Sequence, residues 1–222
     1  MMNYKEWTDR AGQFIARFER LHPRMKARVE IGPPATADQI AEAERGIGQA
    51  LPRQLRTFLE SASGHCDFGY WWEAEGEEDR REAESAFETT TIPGGLEYFA
   101  WVRALAEDYE FHRELVEEGT YGDAPFCQAP LPIGGMGNGD HIAIDLNGGS
   151  VIFLSHDDWS FILAPDFDAF LRSWEAICYL DFDISPYERF VDKDGGGIDP
   201  TDRPELRRLR RLLLPDDRGG RP

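Results

Sequence analysis

The sequence predicts one α+β domain in which an antiparallel sheet of about four to six strands packs with N-terminal and C-terminal helices. Two patterns predict this class. Apolar side chains recur at three- and four-residue spacing in the first third of the chain, and short apolar runs alternate with Gly-rich or Asn-rich turns after residue 130. With 222 residues, 41% of them hydrophobic, the chain is long enough to bury one large core.

Helices are expected wherever the apolar spacing is helical. Thr36 is a good N-cap, and Gln39 is placed to complete a capping box with it. Pro52 suits the first turn of the next helix, and Gly64 suits the position after its end. The expected helices cover residues 4–21, 36–47, 52–62, 96–117, 165–179 and 204–214.

Strands are expected where the period changes to two. In residues 66–73, alternation places Phe68, Tyr70 and Trp72 on one face and Trp71 on the other, so Trp71 should face solvent. Asn147-Gly148-Gly149 is a clear hairpin signal, because these residues tolerate positive φ. The other expected strands cover residues 131–134, 142–146, 151–155 and 160–163.

The chain divides by composition into three parts. Residues 1–35 form an N-terminal helix and lead-in, and residues 36–192 form the α+β domain, with an acidic insert at about 73–124. Residues 193–222 are expected to form a linker, a short amphipathic helix and a disordered tail. Six Glu and one Asp between Glu73 and Glu84 indicate an acidic loop or the start of an exposed helix.

Several classes of protein are disfavoured by composition. The three cysteines Cys66, Cys127 and Cys178 are widely spaced and form no C-x-x-C pair, which argues against a disulfide framework or a thiolate zinc site. Apolar runs are far shorter than a membrane span, and the N-terminus carries charges where a secretory signal would be apolar. We therefore expect a cytoplasmic protein with no membrane partner.

Charge is unevenly distributed along the chain. Residues 1–30 and 201–222 each hold seven basic and four acidic residues. Taking both ends from the totals of 24 basic and 42 acidic residues leaves 10 basic and 34 acidic residues, a net charge of −24 on the body. Such a body repels nucleic acid and favours a basic protein partner, although high solubility explains the same charge equally well.

Two stretches of motifs carry a family resemblance. The first runs through Ile40 to Arg45, Leu51-Pro52-Arg53-Gln54-Leu55 and Phe58-Leu59 to Ser63-Gly64. The second comprises Ile133-Gly134, Gly139-Asp140, Asp145, the hairpin from Val151 to His156 and the closing helix around Phe167 to Trp174. In order and spacing the chain resembles the SUKH superfamily, which includes yeast cell-wall-synthesis regulators and bacterial immunity proteins.

This resemblance implies a binding module without catalytic activity or a cofactor. The function it implies first is an immunity protein that inhibits a cognate bacterial polymorphic toxin, here expected to be basic, by direct contact. A regulatory scaffold of the cell-wall-regulator type is the alternative. A monomer or weak homodimer is expected in either case.

One pattern points to a weaker alternative, a metal-dependent hydrolase. Two histidines and three carboxylates lie near the ends of adjacent expected strands, in Asp140-His141 and His156-Asp157-Asp158. Such a hydrolase would use His141, His156 and Asp157 at its metal site. Ordinary turn roles for these residues are the simpler interpretation, because Asp side chains hydrogen-bond nearby backbone in turns.

Two groups are candidates for the protein-binding surface, since an exposed tryptophan beside charged residues is typical of interfaces. The alternative is that both tryptophans complete the core. The first group is Trp71, Glu73, Glu75, Glu77, Glu78 and Asp79, and the second is Asp157, Asp158 and Trp159.

Overall fold

A seven-stranded antiparallel sheet forms the centre of the molecule, with its strands in chain order from β1 to β7. The computed structural model describes residues 2–157, 159–182, 185–192, 197–201 and 203–215. The strands are β1 (Lys26–Ile31), β2 (Cys66–Glu73), β3 (Thr91–Phe99), β4 (Pro130–Gly135), β5 (His141–Asp145), β6 (Val151–Leu154) and β7 (Phe161–Ala164).

Seven α-helices surround the sheet in the described part of the chain. The capping box of Thr36 and Gln39 is present at the start of the second helix, which ends at Gly48 in the left-handed conformation. The helices are α1 (Tyr4–Leu21), α2 (Ala37–Ile47), α3 (Arg53–Ser61), α4 (Glu77–Phe87), α5 (Leu105–Glu117), α6 (Phe167–Ala176) and α7 (Pro204–Leu213).

The main core lies between one face of the sheet, here called the inner face, and the helices α1, α3 and α6. Trp7 of α1 is fully buried and packs its ring against Phe58 of α3, Phe68 of β2 and Trp174 of α6. Its indole N–H donates to the backbone oxygen of Leu171, so the buried ring leaves no polar atom unpaired. The α+β single-domain architecture predicted from the sequence is confirmed.

The other face of the sheet, here called the outer face, is covered on one side only. Helix α5 packs against β4 there, and a second apolar cluster fills the space beneath it. The buried members of that cluster are Tyr121, Cys127, Ala143, Ile152 and Leu154. Tyr98, near the end of β3, hydrogen-bonds Asp108 of α5. Among the described residues, the open part of the sheet is therefore the outer face of β1, of β2 and of the first half of β3.

Two predictions about elements were wrong. The sheet has seven strands where about four to six were expected, because β1 and β3 were not foreseen. Residues 96–117 were predicted as one helix, but Leu96–Phe99 belong to β3 and the helix begins at Leu105. Ala100, with φ of 53°, marks the break between them.

The basic C-terminal helix α7 is amphipathic, as its leucine spacing predicted. Leu206, Leu209, Leu212 and Leu213 are buried, while Arg211 pairs with Glu82 of α4. Part of the positive charge at the C-terminus is thus matched by the acidic segment. Among the helices described, none has the length and apolar character that crossing a membrane requires.

Candidate binding surface

Trp71 lies on the open part of the outer face, as the alternation in β2 predicted. Its neighbours across the strands are Lys26 of β1 and Pro93 of β3, and 41% of its surface is exposed. The side chains of Phe68, Tyr70 and Trp72 point to the inner face and are buried. An indole held by flanking strands is a rigid apolar contact that costs little conformational entropy to bury in an interface.

A groove of about 540 Å³ runs along this open face beside Trp71. The groove is deep at Gly69, because this residue has no side chain on the outer face. Arg28 lies over Gly69 and donates to Asp67 and to the backbone oxygen of Leu96, which holds its guanidinium in place. Glu97 and Met136 form the opposite wall. The groove offers a shaped surface with both apolar and charged walls.

The acidic residues of the first candidate group continue from the end of β2. Glu73 is exposed and shares the outer face with Trp71, two residues away. Glu75 and Asp79 join Glu73 along a small crevice beside Arg24, in the turn between α1 and β1. The structure therefore brings Trp71 and this acidic group to one end of the sheet, with Arg24 beside them.

Glu77, Glu78 and Asp79 also have a structural role. They occupy the first turn of α4, where carboxylates interact favourably with the positive end of the helix dipole. Gly76, the N-cap, provides no side-chain cap. These acidic residues therefore both stabilise the start of α4 and add negative charge near Trp71.

The second candidate group lies at the far side of the sheet. Trp159 is 55% exposed and packs against Phe161 of β7 with ring centroids 5.6 Å apart. Asp157 is exposed, and Asp158 lies outside the described residues. Four strand spacings separate β2 from β6, or roughly 19 Å, so the two tryptophans belong to separate surfaces.

The residues proposed for a metal-dependent hydrolase do not come together as predicted. Asp140, His156 and Asp157 form a cluster whose potential ligand atoms all lie within 4.8 Å of one another. His141 is not part of it, because neighbouring strand residues point to opposite faces. The His141 ring packs instead against His112 of α5, with ring centroids 4.3 Å apart.

Hydrogen bonds within the protein already occupy the buried Asp140 carboxylate. Oδ1 accepts from the backbone N–H of His156 and lies 3.0 Å from its Nδ1, and Oδ2 accepts from the side-chain amide of Asn138. The carboxylate of Asp145 likewise accepts from the backbone N–H groups of Asn147 and Gly148. Both aspartates shape turns between strands, which is the simpler role expected for such residues.

A second exposed aromatic surface was missed in the sequence. Trp101, 43% exposed, packs edge-on against His65 at 5.7 Å and borders a groove of about 470 Å³ that also includes Pro33, Pro34 and Arg103. Trp101 lies within residues 96–117, which were predicted as a helix, and nothing in the spacing of apolar residues there indicated that Trp101 would be exposed. This surface lies at the opposite end of β2 from Trp71, beyond His65.

The three cysteines are free and buried, as their spacing indicated. Burial raises the pKa of Cys66 to about 12, so its thiol is neutral and poorly nucleophilic at physiological pH. This environment is typical of a structural cysteine.

Comparison with known proteins identifies the family. Residues 34–173, more than half of the chain, match the model of the SMI1 / KNR4 family (SUKH-1). The chain belongs to the SMI1/KNR4 family. No curated protein sequence matches it.

The family match covers most, but not all, of this SUKH-1 protein. It includes Trp71, the acidic start of α4 and the hairpins carrying Asp140 and Asp145. Helix α1 and strand β1 precede the matched residues, and α7 follows them. One wall of the groove beside Trp71, provided by β1, is therefore built from residues outside the match.

Proposed function

We propose that this SUKH-1 protein is a non-enzymatic immunity protein that acts in the bacterial cytoplasm by binding a cognate, basic polymorphic toxin. Family membership supports a role of this kind. The observation that carries the choice of surface is Trp71, an exposed tryptophan on an uncovered sheet face with acidic residues at its end.

The physical reason for choosing this face is the combination of shape and charge. A groove beside an ordered indole can receive apolar side chains of the toxin, and burying a tryptophan contributes strongly to affinity. The acidic group then orients a basic partner and raises the association rate. Occlusion of the toxin surface is sufficient for inhibition, so the mechanism involves no chemical step.

Trp71→Ala tests this surface. With the toxin domain encoded by the adjacent large open reading frame as the ligand, we expect the variant to bind about 30-fold more weakly, because a central tryptophan contributes about 2 kcal/mol. The affinity is measured by calorimetry, and co-expression of the variant with the toxin should rescue growth poorly.

The chain provides a closely matched control. Trp101 has nearly the same exposed fraction as Trp71 but lies on a different surface, so Trp101→Ala should leave the affinity unchanged. Trp159→Ala tests the second candidate group in the same assay. Equal affinities of the wild type and Trp71→Ala for the toxin would show that the interface lies on another surface. Failure to bind the toxin at all would favour the regulatory-scaffold alternative.

A further inference from the structure

Strand β1 is the free edge of the sheet. It pairs with β2 on one side, and no strand of the described residues pairs with its other side. Five of its six residues are exposed, including Val29 at 42% and Ile31 at 36%. At the other end of the sheet, the segment carrying Ile198 covers β7, because the Ile198 N–H donates to the backbone oxygen of Leu163.

The backbone of β1 presents hydrogen-bonding groups outward at every second residue. Gly32 N–H donates to the backbone oxygen of His65, one pair beyond the partners Ile31 and Cys66. In an antiparallel ladder, residues that bond to the neighbouring strand alternate with residues whose N–H and C=O point away from it. The outward groups of β1 are therefore those of Ala27, Val29 and Ile31.

The side chains of β1 also separate by face. Ala27, Val29 and Ile31 lie opposite the inward-facing Tyr70, Phe68 and Cys66 and form an apolar stripe on the inner face. Lys26, Arg28 and Glu30 lie on the outer face. The edge thus presents backbone donors and acceptors, apolar side chains on one face and charges of both signs on the other.

We propose that a second copy of this chain pairs with this edge, β1 against β1 in antiparallel orientation about a twofold axis at Val29. This register places each Arg28 opposite Glu30 of the other copy, and each Ala27 opposite Ile31. All three outward-facing residues then form backbone hydrogen bonds across the axis. The two sheets become one continuous sheet.

Charge complementarity selects this register over its neighbours. An axis at Arg28 sets that guanidinium against its own copy, and an axis at Ala27 sets Lys26 against Arg28. Like charges directly opposite each other destabilise a strand pair. Of these three registers, only the one with its axis at Val29 avoids both like-charge contacts. It also places Arg28 opposite Glu30 twice, once on each side of the axis.

The charged side chains remain accessible for this pairing. In the single chain the Arg28 guanidinium lies over Gly69, where Asp67 and Leu96 accept from its Nε and Nη2. Its side chain is 53% exposed, and pairing with Glu30 of the other copy requires the guanidinium to leave these two acceptors and turn toward the edge. Glu30 contacts His65 at 3.2 Å, yet 74% of its side chain is exposed. The outer face around Trp71 stays open in such a dimer, so the two copies present their grooves on the same side.

Single cysteines on the inner face of β1 test the register. In the proposed dimer the two Val29 Cα atoms lie about 5.5 Å apart, within disulfide range, whereas the two copies of residue 27 or of residue 31 lie about 14 Å apart. Under mild oxidation, Val29→Cys should form a cross-linked dimer at least about tenfold faster than Ala27→Cys or Ile31→Cys.

Charge reversal provides an independent test of the same register. Arg28→Glu and Glu30→Arg each create two like-charge pairs and should weaken self-association about tenfold, as measured by sedimentation of the wild-type and variant chains. The double variant should recover it, because unlike charges again face each other. Thermal melts confirm that each variant is folded.

A monomer at every concentration, equal cross-linking of the three cysteine variants, or no recovery in the double variant would overturn the proposal. None of these results depends on the toxin, so the outcome is separate from that of the Trp71 experiment.

Discussion

His112 and His141 form a buried pair between α5 and the sheet. Nδ1 of His112 donates to the backbone oxygen of Asp108 at 2.8 Å. Its Nε2 and the Nδ1 of His141 are buried, and neither has a hydrogen-bond partner in the part of the chain that the structure describes. Burial lowers the pKa of both imidazoles, and the proximity of His112 lowers the pKa of His141 further, to about 4. Both rings are therefore neutral in the folded protein near pH 7.

This pair predicts a loss of stability in mild acid. Below pH 6.5 these imidazoles are protonated in the unfolded chain but stay neutral in the folded protein. The free energy of unfolding therefore falls as the pH decreases toward 4. Each histidine adds a slope of up to about 1.4 kcal/mol per pH unit. Urea midpoints measured from pH 7.5 to 4.5 should show a weaker pH dependence for His112→Phe and His141→Phe than for wild type. His22→Phe is the control, and identical slopes in all four proteins would contradict the expectation.

At the scale of elements, β3 shows why one strand was mistaken for a helix. Cys66 pairs with Phe99 and Phe68 pairs with Leu96, so two steps along β2 match three steps along β3. This bulge places two buried residues three positions apart, which is the spacing of a helix face. The Pro-Gly-Gly at residues 93–95 further hid the strand signal. Because a bulge depends on the partner strand, local periodicity alone could not distinguish it from a helix.

The edge strand β1 was missed for a different reason. Alternation signals a strand when one face is buried and the other is polar, but β1 is exposed on both faces over most of its length. In contrast, α1 and β2 were predicted with the bounds observed, because each buries a complete stripe or face. The sequence therefore indicates elements best where the core fixes their pattern.

The end of α4 offers a stabilising substitution. Glu88 follows the last helical residue in the left-handed conformation, with φ of 58°, a position that glycine occupies with less strain. Glu88→Gly should stabilise the protein by about 0.5–1 kcal/mol and raise the Tm by roughly 1–4 °C in calorimetry. Glu88→Ala is the control, since it removes the ion pair with Arg189 but keeps the strain. A Tm no higher for Gly than for Ala would show that backbone strain is negligible there.

At the scale of the whole molecule, the sequence indicated the candidate surface only in part. The outward direction of Trp71 followed from the period of β2, and its acidic neighbours follow it directly in the chain. Trp101 and His65 come together only through the path of β3 and the turn after it. Surfaces assembled from distant segments, such as the Trp101 groove, require the fold before they can be recognised.

The net charge of −18 predicts how the proposed toxin complex responds to salt. A strongly acidic protein attracts a basic partner over long range, and salt screens that attraction beyond about 10 Å at 0.1 M. We expect the association rate to fall by about 10- to 1000-fold as ionic strength rises, while the dissociation rate changes little.

Matched charge reversals test where on the protein the charges that should attract the proposed toxin lie. Glu73→Lys with Glu75→Lys, at the end of the open face, changes the net charge by the same amount as Glu117→Lys with Glu118→Lys, at the end of α5. Both pairs weaken the total field, but charges near the docking face act over the shorter distance, so the first pair should slow association more. Stopped-flow rates at several salt concentrations measure this difference. Rates insensitive to salt would rule out a basic partner, and equal effects of the two pairs would place the docking surface away from Trp71.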